Sequence, residues 1–286
     1  MMRIVPLEEG EKLSLTNDGQ LELFFIGVGS AFAGKNNQTN LLLIKGDVHV
    51  MVDFGMTGPQ ALRSVAGLEP TDIEVLLPTH SHADHVGGIE CLALMNRYVG
   101  MRFMDKPKLK MIISEDYQRV LWEQTLKGGL EWNEKGPDDA EKLQFSDFFD
   151  VVRPQWKQWA PREIFEVEIG SLKLELFRTS HIPEQSSGWE AHFISYGLFI
   201  DDHVFFSGDT KFDQSLIDLY APRSEIMFQD VQFFPGAVHA YLEDLRELPN
   251  DVRSRMYLVH YGDNWEDQDV LEFADWTRQR IRYVFE

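Results

Sequence analysis

Between residues 78 and 85 the chain reads Pro78-Thr79-His80-Ser81-His82-Ala83-Asp84-His85, three imidazoles and one carboxylate within six positions. Imidazole nitrogen and carboxylate oxygen are the donors that zinc and related divalent ions take from proteins. On extended backbone, residues two apart point the same way, so His80 and His82 can converge on one ion. Asp84 and His85 lie past a bend and can reach a second. A pair of divalent ions would bring the pKa of bound water toward about 7 and clamp an attacking oxygen. That chemistry supports hydrolysis of a phosphodiester, a thioester, a lactone or a β-lactam, and the cluster by itself does not choose among them.

Such a cluster needs a rigid strand behind it. The apolar run 73–77 is that strand, and Pro78 stops it. Further β-like runs are expected at 21–26, 39–44, 48–52, 111–113, 164–169, 172–177, 192–200, 204–206, 225–229, 256–259 and 282–285. The second and third of these form a hairpin turning at Gly46-Asp47. Helices are expected at 58–66, where Pro59 suits the first turn, at 89–98, and at 115–126 behind Ser114 as N-cap. Others are expected at 214–220, 240–248 and 266–276. Residues 128–161 break the pattern with Gly128, Gly129, Gly136, Pro137, Pro154 and Pro161, and read as an irregular, aromatic and acidic insert in one domain spanning 1–286. The β-then-α succession in each half predicts an α/β fold of two packed sheets with helices outside.

Composition narrows the partners. The chain has 286 residues, 43% of them hydrophobic, and a formal charge of −20. A polyanion wants a basic face, so long nucleic acid is not expected, although a small anion held by a local positive site remains compatible. One cysteine, Cys91, excludes both an internal disulfide and a cysteine-rich zinc site. No apolar run approaches the roughly 18 residues of a membrane helix, and the start lacks the apolar core of a signal peptide, so the expectation is a cytoplasmic protein.

His-x-His-x-Asp-His after a strand resembles the signature of the metallo-β-lactamase fold, a four-layer αββα sandwich of two pseudo-symmetric halves. The resemblance implies further ligands, each at a strand end: His181 in Arg178-Thr179-Ser180-His181, Asp209 in Phe206-Ser207-Gly208-Asp209, and His260 in Val259-His260-Tyr261-Gly262. By that resemblance His80, His82 and His181 hold one metal and Asp84, His85 and His260 a second, with Asp209 shared. Zinc is the default, with manganese or iron as alternatives. Two divalent ions, two aspartates and a hydroxide leave a net charge of about +1, suited to an anionic oxygen. Taken alone, Asp209 also reads as a helix N-cap before Gln214. His49, His192 and His203 match no family position and read as structural or exposed.

The presence of Asp209 where one major group of β-lactamases has a cysteine argues against that group. Phe25-Ile26-Gly27-Val28-Gly29-Ser30-Ala31 resembles the strand-turn of the tRNase Z-like phosphodiesterase branch. In that branch a histidine in the region of His239 protonates the leaving oxygen, a contribution of roughly 10²–10⁴-fold where an alkoxide departs. Asp230 ends a strand and could orient His239, or could be an exposed strand-end acid. The insert holds seven acids against four bases, unlike the basic arm of tRNA-processing members. Its aromatic residues suit a lid, a subunit interface or a satellite core. Together with Phe228-Gln229-Asp230 and His260-Tyr261-Gly262, these motifs are similar to anti-Pycsar-type cyclic-nucleotide phosphodiesterases, which implies a small nucleotide substrate and a homodimer. Asp84 and His239 are the catalytic candidates. A tRNA 3′-end endonuclease and a thioester or lactone hydrolase of the same fold are the alternatives, and a catalytically silent metal-binding protein is a further one.

Overall fold

The computed structural model describes residues 2–134 and 141–286. Its strands in chain order are β1 (Met2–Pro6), β2 (Leu21–Gly27), β3 (Asn40–Lys45), β4 (Val48–Val52), β5 (Val75–Leu77), β6 (Leu109–Ile112), β7 (Phe149–Val152), β8 (Gln155–Gln158), β9 (Ile164–Ile169), β10 (Leu172–Arg178), β11 (Tyr196–Ile200), β12 (Val204–Phe206), β13 (Ile226–Asp230), β14 (Met256–Val259), β15 (Asp275–Trp276) and β16 (Ile281–Phe285). They form two eight-stranded sheets, ordered β1-β16-β2-β3-β4-β5-β6-β7 and β8-β9-β10-β11-β12-β13-β14-β15. Each sheet is antiparallel over its first five strands and parallel over the rest. The two halves therefore repeat one plan.

Strands β2, β3 and β4 are buried almost throughout, as near-continuous apolar runs are when both faces of a sheet are covered. Phe25 of β2 packs against Phe228 of β13 and Phe206 of β12, with ring centroids 5.2 and 6.2 Å apart, which joins the two sheets. Period-2 alternation sends Phe205 to the opposite face. There it stacks on Phe177 at 5.4 Å and meets Tyr220 of the helix Gln214–Tyr220. On the first sheet the helix Gly58–Ala66 buries Ala61, Leu62 and Val65 and packs on β2. Layers thus run helix, sheet, sheet, helix.

Several expected elements differ. The stretch 128–161 supplies the outer parallel strand β7 of the first sheet and the outer antiparallel strand β8 of the second, with Phe145, Phe148 and Phe149 buried. It is therefore not irregular throughout: the aromatic-rich part is core, whereas Trp132, Trp156 and Trp159 are exposed. Lys135, Gly136, Pro137, Asp138 and Asp139 of that reading lie outside the described residues. The helix expected at 266–276 is a short 3-10 turn, Trp265–Asp267, followed by β15. Tertiary bonds displace the helical ones there. Trp276 packs on Tyr261 and Trp265, and Arg246 takes the Asp269 carbonyl. The run 192–200 is strand only over β11, because His192 turns back to the Gly188 carbonyl. Met2–Pro6 and the helix Asn250–Arg253 were not expected.

Candidate metal centre

Strands β5, β12 and β13 end at one rim of the sandwich, and the loops beyond them meet those that follow β10 and β14. After β5, Pro78 and Thr79 lead to His80. His82 then precedes a four-residue helix, Ala83–Val86, that carries Asp84 and His85. His181 follows β10, Asp209 follows β12, and His260 follows β14 directly, in a left-handed conformation with φ of 61°. Gly208 also has positive φ, and a Cβ there would collide with the Tyr196 carbonyl, so only glycine lets this turn deliver Asp209.

All the expected side chains converge. His80, His82, His181 and Asp209 offer donor atoms within 4.8 Å of one another, and so do Asp84, His85, Asp209 and His260. His181 Nε2 lies 3.1 Å from His82 Nδ1. His85 Nε2 and His260 Nε2 each lie 3.3 Å from Asp84 Oδ2. Asp209 Oδ2 stands between the groups, 3.2 Å from His85 Nε2, 3.6 Å from His80 Nε2 and 3.7 Å from His181 Nε2.

The opposite edge of each ring is held from behind, which fixes its orientation. His85 Nδ1 is 2.7 Å from Asp53 Oδ2, His80 Nδ1 is 3.0 Å from Thr79 Oγ1, and His181 Nδ1 donates to the Val238 carbonyl at 2.8 Å. Asp230 is buried, contrary to the exposed-acid alternative. Its Oδ1 lies 3.3 Å from His260 Nδ1, and its Oδ2 is 2.8 Å from His239 Nδ1. Asp53 and Thr79 stand outside the ligand pattern that the sequence displays. Asp53 also accepts from the Thr79 amide and hydroxyl at 2.7 Å. Its signal was an acid placed directly after an apolar strand. Asp209 is not a cap, since Asp213 caps the helix Gln214–Tyr220. His49, His192 and His203 lie apart, bonded to Glu74 N–H, the Gly188 carbonyl and the Asp201 carbonyl.

The donors fit divalent cations. His80 Nε2, His85 Nε2 and Asp209 Oδ2 are buried without a hydrogen-bond partner among the described residues, which costs free energy unless something else engages them. The electrostatics agree. Burial alone would lower His260, but Asp209 beside it, with Asp230 and Asp84, pushes it up to about 10. His85 rises likewise against its burial, through Asp209, Asp84 and Asp53. Burial takes His181 down to about 4 and His80 well below the usual range. Burial would raise Asp84 and Asp209, yet the neighbouring His85 and His260 hold both well below the usual carboxylate range. Acids that draw protons onto adjacent imidazoles would draw metal cations in their place.

Beside this centre lies a cavity of about 480 Å³ that shares His239 and His260. Phe32, Phe233, Phe234 and Val238 give it an apolar wall, with Phe32 98% and Phe234 58% exposed.

Two sheets of this plan around this cluster define a metal-dependent hydrolase of the metallo-β-lactamase fold. YhfI from Bacillus subtilis, a solved protein of that fold, superposes with a TM-score of 0.64 over 93% of this chain and 99% of its own, at 16% identity. The family model described as Anti-Pycsar protein Apyc1 matches residues 21–283, and the chain belongs to that family. It is 37% identical over 268 residues to the Anti-Pycsar protein Apyc1 of Paenibacillus sp. (strain J14), covering 92% of this chain and 99% of that one. It is 34% identical over 253 residues to the one of Bacillus phage BSP38, covering 86% and 91%.

Proposed function

We propose that this protein is a phosphodiesterase that opens small cyclic nucleotides, most readily cyclic mononucleotides. The observation that carries the reading is the shared wall: an apolar, aromatic cavity of nucleoside size opens directly onto His239 and His260, the same face as the ligand cluster. His80, His82 and His181 would hold one cation, and Asp84, His85 and His260 a second, with Asp209 common to both. Zinc is the proposed occupant, on the imidazole and carboxylate donors. Divalent cations there would supply Lewis acidity and a nucleophile at neutral pH.

The chain's own residues do the rest. Asp84 and Asp209 would supply the carboxylate donors, Asp84 to the second group and Asp209 to both. Asp230 grips His239 at Nδ1, which leaves Nε2 to give a proton to the departing ribose oxygen. Phe32 and Phe234 offer faces on which a base can stack. Family membership supports the same substrate class. Among the described residues no helix is long and apolar enough to cross a membrane. We read the chain as one domain, since the buried apolar residues of both sheets form one cluster, and as a cytoplasmic homodimer with exposed Trp132, Trp156 and Trp159 available to an interface. Light scattering tests the dimer.

Metal-replete protein is expected to convert cyclic mononucleotides to linear monophosphates, with metal content measured on the same sample. Protein that holds its metal and stays idle on cyclic mono- and dinucleotides overturns the reading. His239→Ala is expected to keep metal and lose roughly 10²–10⁴-fold on these substrates.

A further inference from the structure

The loop 231–241, which carries His239, leaves the sheet after β13 and returns through a bridge between Gln232 and Tyr241. It has two jobs at the centre. The Val238 carbonyl accepts from His181 Nδ1, and His239 meets Asp230. At its tip Gly236 and Ala237 take successive positive φ angles of 79° and 65°. Ala237 is a non-glycine residue in a conformation that side chains disfavour, so this tip needs an external hold.

That hold comes from the other side of the site. Glu184 Oε1 accepts from the Ala237 amide at 2.8 Å, which belongs to the Gly236–Ala237 peptide, one before the peptide that joins Val238. Glu184 sits three residues after His181, on a turn gathered by one cation. Lys211 Nζ donates to the carbonyls of Pro183, Glu184 and Ser186, and Lys211 itself follows Asp209 by two positions. The His181 turn, the Asp209 turn and the tip of the His239 loop are thus tied through Glu184. Inside the loop, Gln232 Nε2 braces the carbonyls of Phe234 and Gly236, but nothing else described reaches the Ala237 amide.

We infer that Glu184 is a positioning residue that latches the Ala237 peptide and so holds His239 where a leaving oxygen can take its proton. This rests on the proposed role of His239. Glu184 bonds to neither His239 nor a candidate ligand; it acts through Ala237 and Val238.

The test separates chemistry that needs a proton from chemistry that does not. A cyclic mononucleotide expels an alkoxide, whereas bis-p-nitrophenyl phosphate expels a phenolate that departs unprotonated. With metal-loaded protein, Glu184→Ala should lower kcat on the cyclic nucleotide about tenfold, a partial loss of positioning, with KM within about twofold. It should change kcat on the nitrophenyl ester by less than about twofold. Glu184→Gln retains an acceptor oxygen at the same reach and should restore the cyclic-nucleotide rate. Glu184→Asp, one methylene shorter, should reproduce the loss in milder form and keeps the test alive if the alanine variant folds poorly.

His239→Ala is run beside them. If it shows the split between leaving groups and Glu184→Ala does not, whether by retaining both activities or losing both equally, the latch is refuted while the acid stands. If His239→Ala shows no split, the acid assignment falls and takes the latch with it.

Discussion

The two halves of the molecule share a strand plan but divide the labour unequally. In the first half one loop, after β5, brings four candidate ligands: His80, His82, Asp84 and His85. In the second half three loops bring one each: His181 after β10, Asp209 after β12 and His260 after β14. Strands β4 and β12 occupy the same place in their sheets, each the last antiparallel strand before the parallel set. Each is followed by an aspartate. Asp53 comes immediately after β4, its own φ is positive, and it stays behind His85 as a hydrogen-bond acceptor. Asp209 comes three residues after β12, with the positive φ passed to Gly208, and reaches the middle of the cluster. Two residues of extra reach turn a supporting carboxylate into a central one.

Substitutions at these twin positions should differ sharply. Asp209→Ala removes the donor common to both groups, so it should release metal and cut turnover by at least about 10³-fold, read as metal content and cyclic-nucleotide hydrolysis on one sample. Asp53→Asn should be gentler. Asparagine can still accept from the Thr79 amide, but its NH₂ would face His85 Nδ1 and drive the imidazole proton onto Nε2, the nitrogen aimed at the centre. A supporting partner of this kind is worth about 10–100-fold in metal affinity or activity. Equal losses at Asp53 and Asp209 would erase the distinction between the halves.

The same asymmetry explains what the sequence disclosed. The β5 loop is legible because its donors are local and their spacing states the geometry. His181, Asp209 and His260 are separated by tens of residues, and no periodicity links them; only their positions after apolar strands, matched to a family pattern, picked them out. Asp53 was passed over although it also ends a strand, because a residue that supports a ligand carries no spacing rule of its own. The sheets were legible for the same physical reason as the β5 loop: strands such as β2 and β3 are near-continuous apolar runs. The acidic stretch at 266–276 was misread because its conformation is set by Trp276, Tyr261 and Arg246 rather than by its own propensity. Glu184 left no trace, since its partner is a backbone amide 53 residues away.

The smallest contrast lies at the next pair of twin strands. Strands β6 and β14 are equivalent in their sheets, and the chain beyond them takes opposite courses. After β14 the next residue is His260, held at positive φ and aimed at the cluster. After β6 comes Ile113 and then Ser114, whose extended backbone starts the helix Glu115–Leu121 and whose Oγ accepts from the Tyr117 amide at 3.3 Å. Ser114 Oγ also lies 3.0 Å from the Tyr196 hydroxyl, so it ties the first half to β11. Its role is therefore in stability, and an N-cap of this kind is worth about 1 kcal/mol. Ser114→Ala should lower the unfolding free energy by about that amount in denaturant titration, while metal content and kcat stay at the parent values. The burial of the Tyr196 hydroxyl pushes the cost toward the upper end, since that group loses a partner. A loss of metal in Ser114→Ala would mean that the first half feeds the centre through β6 as well as through β5, and the division between the halves would have to be redrawn.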